Sequence, residues 1–248
     1  MLRDLCATSR ALCVNFRISA SPPNLFPEIL LPMNPKKLLL AAVLAVALST
    51  SAFAQQAKGP LSWVFAKSVT TKLAVEVPPS VGAVNVLSFY SGAKVVIDAE
   101  APGGKVLVLD GTQTAPGTSL RALDPMPTIQ IKLSFKPAPQ GAERQTLLRL
   151  ADYELRYGKD RNQLEFIVWY GQERKFVIVT APVSSKGWNV ATATFSGTKL
   201  TLAVGKVVNT MDMPAGEVVF ASAASVRVGL ATDRPFSGSL AELSIGTP

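Results

Sequence analysis

The chain has 248 residues, a formal net charge of +8 and no histidine. The lack of histidine excludes Ser-His and Cys-His nucleophiles and His-ligated zinc or copper sites. The basic residues are dispersed and never form a run that alternates with aromatic residues, which argues against a nucleic-acid partner. Carboxylate chemistry, lysine chemistry, oxygen-ligated calcium or a function without chemistry remain open.

Residues 33–54 have the three-part pattern of a secretion signal. Met33–Lys37 is a short basic start, Leu38–Leu48 is an uninterrupted apolar run, and Ala52-Phe53-Ala54 matches the A-x-A site of a signal peptidase. The apolar run is shorter than the roughly 20 residues of a transmembrane helix. We therefore expect an exported protein, periplasmic or extracellular, with no membrane anchor after cleavage.

The signal begins in the middle of the chain, because 32 residues precede Met33. We expect translation to start at Met33, with residues 1–32 being a mis-annotated upstream extension. The alternative is a genuine cytosolic extension followed by a membrane span. Cleavage after Ala54 would leave 194 residues with a net charge of +5 and would remove both cysteines, Cys6 and Cys13. Such a chain has no disulfide and must be held together by its core.

Residues 55–248 show short apolar–polar alternations, separated by Gly, Pro, Asp or Asn about every 8–12 residues, which is typical of an all-β sandwich or barrel. Leu61–Ala66 is a candidate first strand, in which Trp63 could lie in the core or equally on the surface, and Pro78-Pro79-Ser80 is expected to be a connector. In Ile129–Lys136 every odd position is apolar and every even one polar, so one face packs inward.

The other strands are predicted from the same alternation and from their Val, Ile, Thr and Phe content. They are Lys94–Asp98, Lys105–Asp110, Gln145–Leu150, Tyr153–Tyr157, Leu164–Trp169, Lys175–Thr180, Trp188–Phe195, Leu200–Val204, Lys206–Thr210, Glu217–Phe220, Val226–Leu230 and Ser239–Ile245. Trp188 is predicted to be a core residue. Gly238 is predicted to serve a bulge or a close approach of the backbone. No convincing helical stripe is longer than about two turns.

Four stretches carry a resemblance to a known family. Ile129–Pro137 is an alternating strand that ends in a Lys-Pro step, and Gln145–Leu148 is a returning strand. Gly187–Gly205 is a unit of Trp-strand, turn, strand and Gly, and Arg234–Ile245 is a closing strand. In this order they resemble the laminin-G-like branch of the concanavalin A-like jelly rolls. The resemblance implies a two-sheet antiparallel β-sandwich, one domain over residues 55–248, and a role in recognising glycans or proteins.

Some proteins of that architecture are glucan hydrolases with a Glu-x-Asp-x-Glu cluster on one strand. That spacing places the carboxylates on one face, where one can act as nucleophile and another as acid. The nearest matches here are Asp98-Ala99-Glu100 and Asp152-Tyr153-Glu154, but Val96 and Leu150 stand where the leading carboxylate would be. We interpret both pairs as solvated polar faces and expect no catalytic function.

Many laminin-G-like domains hold one calcium ion at the rim of the sandwich, and hard cations need several oxygen ligands. The resemblance therefore makes Asp160, Asp212 and Asp233, all in predicted loops, candidate calcium ligands. The alternative is that each forms a local turn through its own backbone. No other cofactor is expected.

A sugar-binding face would use aromatic side chains. Trp169 and Tyr170 are adjacent, so on a strand they point to opposite faces. If Trp169 lies in the core, Tyr170 lies outside, with Gln172 and Arg174 near it. Further candidate platforms are Tyr153, Tyr157 and Tyr90.

Together these features predict an exported, non-catalytic recognition module whose favoured partner is a glycan. Two alternatives stay open. One is a protein-interaction or structural module that binds an envelope protein. The other is a glycan-active hydrolase whose carboxylates the sequence does not reveal.

Overall fold

The computed structural model describes residues 61–81, 85–113, 115–217, 219, 222–229 and 233–248, without the side chains of residues 120 and 121. The predicted upstream extension (1–32) and signal peptide (33–54) lie outside these residues. All described residues belong to one compact unit. None of them forms a helix with the length and hydropathy needed to cross a membrane.

The regular secondary structure of the described residues consists of strands, apart from one short 3-10 helix at Phe65–Lys67. The strands are β1 Leu61–Val64, β2 Val69–Thr70, β3 Val75–Val77, β4 Pro79–Val81, β5 Leu87–Phe89, β6 Ala93–Ile97, β7 Lys105–Asp110, β8 Gly117–Leu123, β9 Ile129–Pro137, β10 Arg144–Leu150, β11 Tyr153–Gly158, β12 Gln163–Tyr170, β13 Lys175–Pro182, β14 Asn189–Phe195, β15 Lys199–Val204, β16 Val207–Asp212, β17 Ala224–Val228 and β18 Ser237–Gly246.

The strands form two antiparallel sheets of nine strands each. Sheet A has the order β16-β15-β14-β9-β18-β1-β4, and β7 pairs with β18 and with β6. Sheet B has the order β13-β12-β11-β10-β17-β8-β5-β3-β2. The predicted all-β, two-sheet antiparallel sandwich is therefore confirmed.

The core lies between the inward faces of the two sheets. In β9 the odd positions Ile129, Ile131, Leu133 and Phe135 are buried, as the alternation predicts. Large aromatic side chains fill the space from both sheets, because antiparallel strands turn every second residue inward. These fully buried rings are Trp63, Phe65, Phe135, Tyr153, Tyr157, Phe166, Phe195 and Phe236. Burial of this apolar surface supplies the main stabilisation.

Three sequence predictions about the strands need correction. Pro79 is not in a connector but begins β4, where it pairs with Trp63. Proline is tolerated there because β4 is an edge strand that needs no donor on its outer side. Glu217 and Val219 lie outside any strand, so the strand predicted at Glu217–Phe220 is wrong. The alternation also missed β8, Gly117–Leu123, in which the polar Ser119 is buried and the apolar Ala122 is exposed.

Trp188 is not part of the core between the sheets. β14 begins at Asn189, and its odd positions face inward. Trp188 therefore lies on the outer side of sheet A, where it packs half-buried against a small cluster that includes Val106 and Ala241. Trp63, by contrast, is fully buried in the core, which decides between the core and surface positions that the sequence left open, and its indole Nε1 donates to the Asn85 carbonyl.

The edge strands β13 and β16 of the two sheets approach each other along one side of the sandwich. There the Asn209 amide Nδ2 on β16 donates to the Thr180 carbonyl on β13 at 2.7 Å. This contact occupies a carbonyl of an edge strand that would otherwise be free to pair with another chain.

Candidate functional site

A groove of about 590 Å³ lies on the outer face of sheet B, across β10, β11, β12 and β13. We call it the outer-face groove. Its lining follows the strand registers, which align side chains of one face in cross-strand rows. One row runs Thr146, Arg156, Glu165, Thr180, and the next runs Arg149, Glu154, Ile167, Ile178.

The floor of the groove is a buried ion-pair network. The guanidinium of Arg156 donates from Nε and Nη2 to Glu154 Oε1, both at 3.2 Å. Its Nη1 lies 3.5 Å from Glu165 Oε2 on the neighbouring strand. The Thr146 hydroxyl donates to Glu154 Oε1 at 3.0 Å. Because these side chains are almost wholly buried, removing Arg156 would leave two carboxylates without their counter-charge.

An aromatic pair forms one end of the groove. Trp169 on β12 and Phe176 on β13 are directly paired, and their rings meet edge to face at 5.0 Å between centroids. Phe176 is 53% exposed, and the Trp169 ring is half-buried. The Arg174 guanidinium lies 5.7 Å from the Trp169 centroid, within the range of a cation–π contact. An apolar ring surface thus adjoins a polar floor.

A second cavity of about 360 Å³, the rim pocket, shares Trp169 with the groove. It is lined by Asp152, Trp169, Tyr170, Gly171, Gln172, Arg174 and Ser222. Arg174 Nη2 lies 3.2 Å from Asp152 Oδ1. Burial raises the pKa of Asp152, and the charges of Arg174 and Arg149 offset part of that rise. The structure therefore brings together the predicted candidates Tyr170, Gln172 and Arg174.

Tyr170 was chosen as a surface candidate on the condition that Trp169 lies in the core. The structure shows the reverse, with Tyr170 facing inward and Trp169 facing outward. Tyr170 is only 9% exposed and lies on the same inward face of β12 as Phe166 and Val168. Trp169 lies on the same outward face of β12 as Glu165. That charged residue was the available signal, because a carboxylate on a strand of a two-layer sandwich normally marks the outer face.

Tyr153 and Tyr157 face the core and are not surface platforms. Both lie at inward positions of β11 and are 1% exposed. The Tyr153 hydroxyl donates to the Met126 carbonyl at 2.6 Å, and the Tyr157 hydroxyl lies 3.2 Å from Asn162 Oδ1. Tyrosine satisfies both a core and a polar contact in this way, so its presence on a strand does not indicate exposure. Tyr90, by contrast, is exposed but lines neither cavity.

The three candidate calcium ligands do not converge. Asp160 lies in the β11–β12 turn, Asp212 ends strand β16 rather than lying in a loop, and Asp233 precedes β18. Each carboxylate has its own basic neighbour: Arg161 at 3.6 Å, Lys199 at 3.7 Å and Arg234 at 3.6 Å, respectively. Among the described residues, no three acidic, His or Cys side chains form a group that could hold a metal ion.

The two carboxylate pairs considered for hydrolysis are also separated by their partners. The Glu100 amide donates to Asp98 Oδ1 at 3.0 Å, which makes this pair a turn. Asp152 pairs with Arg174 in the rim pocket, whereas Glu154 belongs to the floor of the groove. Sequence reasoning missed Glu165, the second carboxylate on the Arg156 guanidinium, because it lies on another strand.

No protein-family model and no curated protein sequence matches the chain. Among solved structures, domain 4 of AbnA, a GH43 extracellular arabinanase from Geobacillus stearothermophilus in complex with arabinotriose, is similar at 18% identity with a TM-score of 0.51. The match covers 78% of this chain and 94% of that one. At this identity the likeness concerns the fold alone.

Two further similar structures have lower TM-scores. Mouse laminin alpha1 chain domains LG4-5 have 14% identity and a TM-score of 0.44, covering 68% of this chain and 48% of that one. Trypanosoma rangeli sialidase in complex with the inhibitor DANA has 11% identity and a TM-score of 0.46, and the match covers 85% of this chain and 36% of that one.

Proposed function

We propose that this protein is an exported, non-catalytic recognition module that binds a glycan in the outer-face groove. The observation that carries the proposal is the pairing of Trp169 and Phe176 beside the buried Glu154–Arg156–Glu165 network. Ligand sites combine aromatic surface with a few well-placed polar groups. A sugar has both apolar C–H faces and hydroxyl edges, so it suits a groove with both kinds of lining.

The fold supports this proposal only in a general way. The arabinanase domain of similar fold is a complex with arabinotriose, so a β-sandwich of this kind is compatible with sugar binding. A shared fold does not determine function, and the groove residues must carry the argument. In the floor of the groove, both carboxylates bind the same arginine, which favours a structural role over attack on a glycosidic bond.

We expect Trp169→Ala to weaken glycan binding by about tenfold or more, because tryptophan is among the residues that contribute most binding energy at interfaces. The measurement is a glycan array with the wild-type protein, followed by calorimetric titration of the best ligand with the variant. Tyr90→Ala is the matched control, since Tyr90 is an exposed aromatic residue outside both cavities. Thermal melts of all three proteins establish that the variants remain folded.

Three results would contradict the proposal. Equal affinity of Trp169→Ala and wild type would remove the groove as the site, and a blank array would favour the protein-interaction alternative. Release of reducing ends from common polysaccharides would overturn the non-catalytic assignment and direct attention to Glu154 and Glu165.

A further inference from the structure

Two arginines face each other directly on the outer side of sheet B. Arg149 on β10 is paired with Arg227 on β17 and, on its other side, with Glu154 on β11. Arg227 points outward because Val226 and Val228, on either side of it, are buried in the core. Like charges directly opposite each other destabilise a sheet. A pair that destabilises its sheet is expected at a surface that binds a ligand, because functional sites are where proteins break local stability rules.

The nearby carboxylates are bound to other groups. Glu154, directly beside Arg149, is held by Arg156 and Thr146. The charge of Arg149 offsets part of the rise that burial causes in the pKa of Asp152, but the Asp152 carboxylate forms its ion pair with Arg174. The Asp233 carboxylate Oδ1 lies 3.6 Å from Nε of its neighbour Arg234. Within the described part of the chain, neither Arg149 nor Arg227 has an ion pair. Arg144, which also lines the groove, likewise has no ion pair with any described residue.

This charge distribution gives the groove two chemically different ends. The aromatic end lies on β12 and β13, and Arg149 on β10 lines the opposite end. Arg227 lies beside Arg149 on β17, just beyond the residues that line the groove. Two strand spacings, roughly 10 Å, separate β12 from β10. One short ligand can therefore contact Trp169 and place an anionic group against Arg149.

Resting on the glycan-binding function proposed above, we infer that the ligand is an acidic polysaccharide whose carboxylate groups bind Arg149 and Arg227. Guanidinium groups match carboxylates through two parallel hydrogen bonds. The two facing arginines would gain a shared counter-charge, so ligand binding would relieve their mutual repulsion. Neutral glycans would contact only the aromatic end and the polar floor.

The test uses three uronic-acid polymers, namely polygalacturonate, alginate and hyaluronate, each compared with its own carboxyl-reduced form. We expect at least one acidic polymer to bind about tenfold or more tightly than its reduced counterpart, and added salt to diminish this difference. Arg149→Gln and Arg227→Gln should each remove most of the preference. Lys206→Gln is the control, because it changes the net charge equally at an exposed turn of sheet A. The thermal melt of Arg227→Gln should show no loss of stability, because the substitution removes a like-charge contact. Arg149→Gln also loses favourable charge contacts with Glu154 and Asp152, so its melt serves to establish that the variant remains folded.

Several outcomes would overturn the inference. They are equal affinity for every acidic polymer and its reduced form, a preference that survives both arginine substitutions, or an equal loss of preference in Lys206→Gln. Binding of polyglutamate that exceeds all polysaccharides and does not depend on Trp169 would identify an acidic protein as the partner instead. Trp169-dependent binding of neutral glycans without acidic preference would refute this inference but leave the proposed function standing.

Discussion

The phenol of Tyr153 illustrates how a single buried group makes stability depend on pH. Its ring packs between the sheets against Phe166 and Phe195, with centroid distances of 6.5 and 6.0 Å. Burial, assisted by the negative charge of Asp152, raises the pKa of Tyr153 well above its ordinary value. The folded protein therefore retains a proton that the unfolded chain releases near pH 10.

We expect the free energy of unfolding to fall as pH rises above about 10, because the unfolded state then binds fewer protons than the folded state. Tyr153→Phe should lose about 1 kcal/mol near neutral pH, through loss of the hydrogen bond to Met126. It should also lose less additional stability than wild type above pH 10, although Tyr157, whose pKa burial also raises, still titrates. Urea titrations at neutral and alkaline pH measure both effects. Tyr90→Phe, at an exposed position, is the control, and an unchanged alkaline slope in Tyr153→Phe would contradict this account.

Sequence reasoning placed Tyr170, Gln172 and Arg174 near one another, and all three line the rim pocket. They are close because they lie on one β-hairpin, where sequence spacing determines proximity, and their role in ligand binding stays a prediction. The floor of the groove could not be grouped in the same way, because Thr146, Glu154 and Glu165 come from three strands and meet only through register. Local alternation indicates which residues share a face but not which strands are neighbours.

Strand β18 is the central element of sheet A, pairing with β9 along its length and with β7 and β1 on its other side. The register shift in its pairing with β9 lies between Leu240 and Glu242, and not at Gly238. Gly238 instead has φ +150°, and a Cβ there would lie 2.4 Å from the Lys136 carbonyl oxygen. The predicted close approach of the backbone is therefore confirmed.

Replacement of Gly238 by Ala should destabilise the protein by about 3 kcal/mol or more, since both the backbone conformation and the contact with β9 oppose a Cβ. Gly104→Ala is the matched control, with φ +68° but no atom within 4 Å of the added Cβ. There, conformational strain alone should cost about 1–2 kcal/mol. Denaturant unfolding of the two variants gives the comparison, and equal losses would show that the approach to Lys136 does not matter.

The strands that sequence predicted best are those with regular alternation and flanking turn residues. β9, β11 and β12 agree with prediction to within one or two residues. The strands β2, β3, β4 and β5 have only two or three residues each, so too few alternations exist to identify them. They are strands because tertiary pairing places them there, which overrides weak local preference.

At the scale of the whole molecule, the described residues contain no cysteine, so no disulfide stabilises the sandwich they form. This is the arrangement expected if cleavage removes Cys6 and Cys13, although export itself remains a prediction. Protein secreted by its native host should begin at Gln55, as judged by N-terminal sequencing of periplasmic and culture fractions. A terminus upstream of Met33 would refute both the start site and the cleaved signal.

The network around Arg156 has a consequence for the energetics of recognition. Its side chains are held by hydrogen bonds and ion pairs made within the fold, so folding itself restricts their conformational entropy. A ligand arriving at this surface need not order them again, and more of its contact energy is retained as affinity. Free and bound forms should then superpose closely at β11 and β12, with any adjustment restricted to exposed side chains such as Phe176 and Arg174.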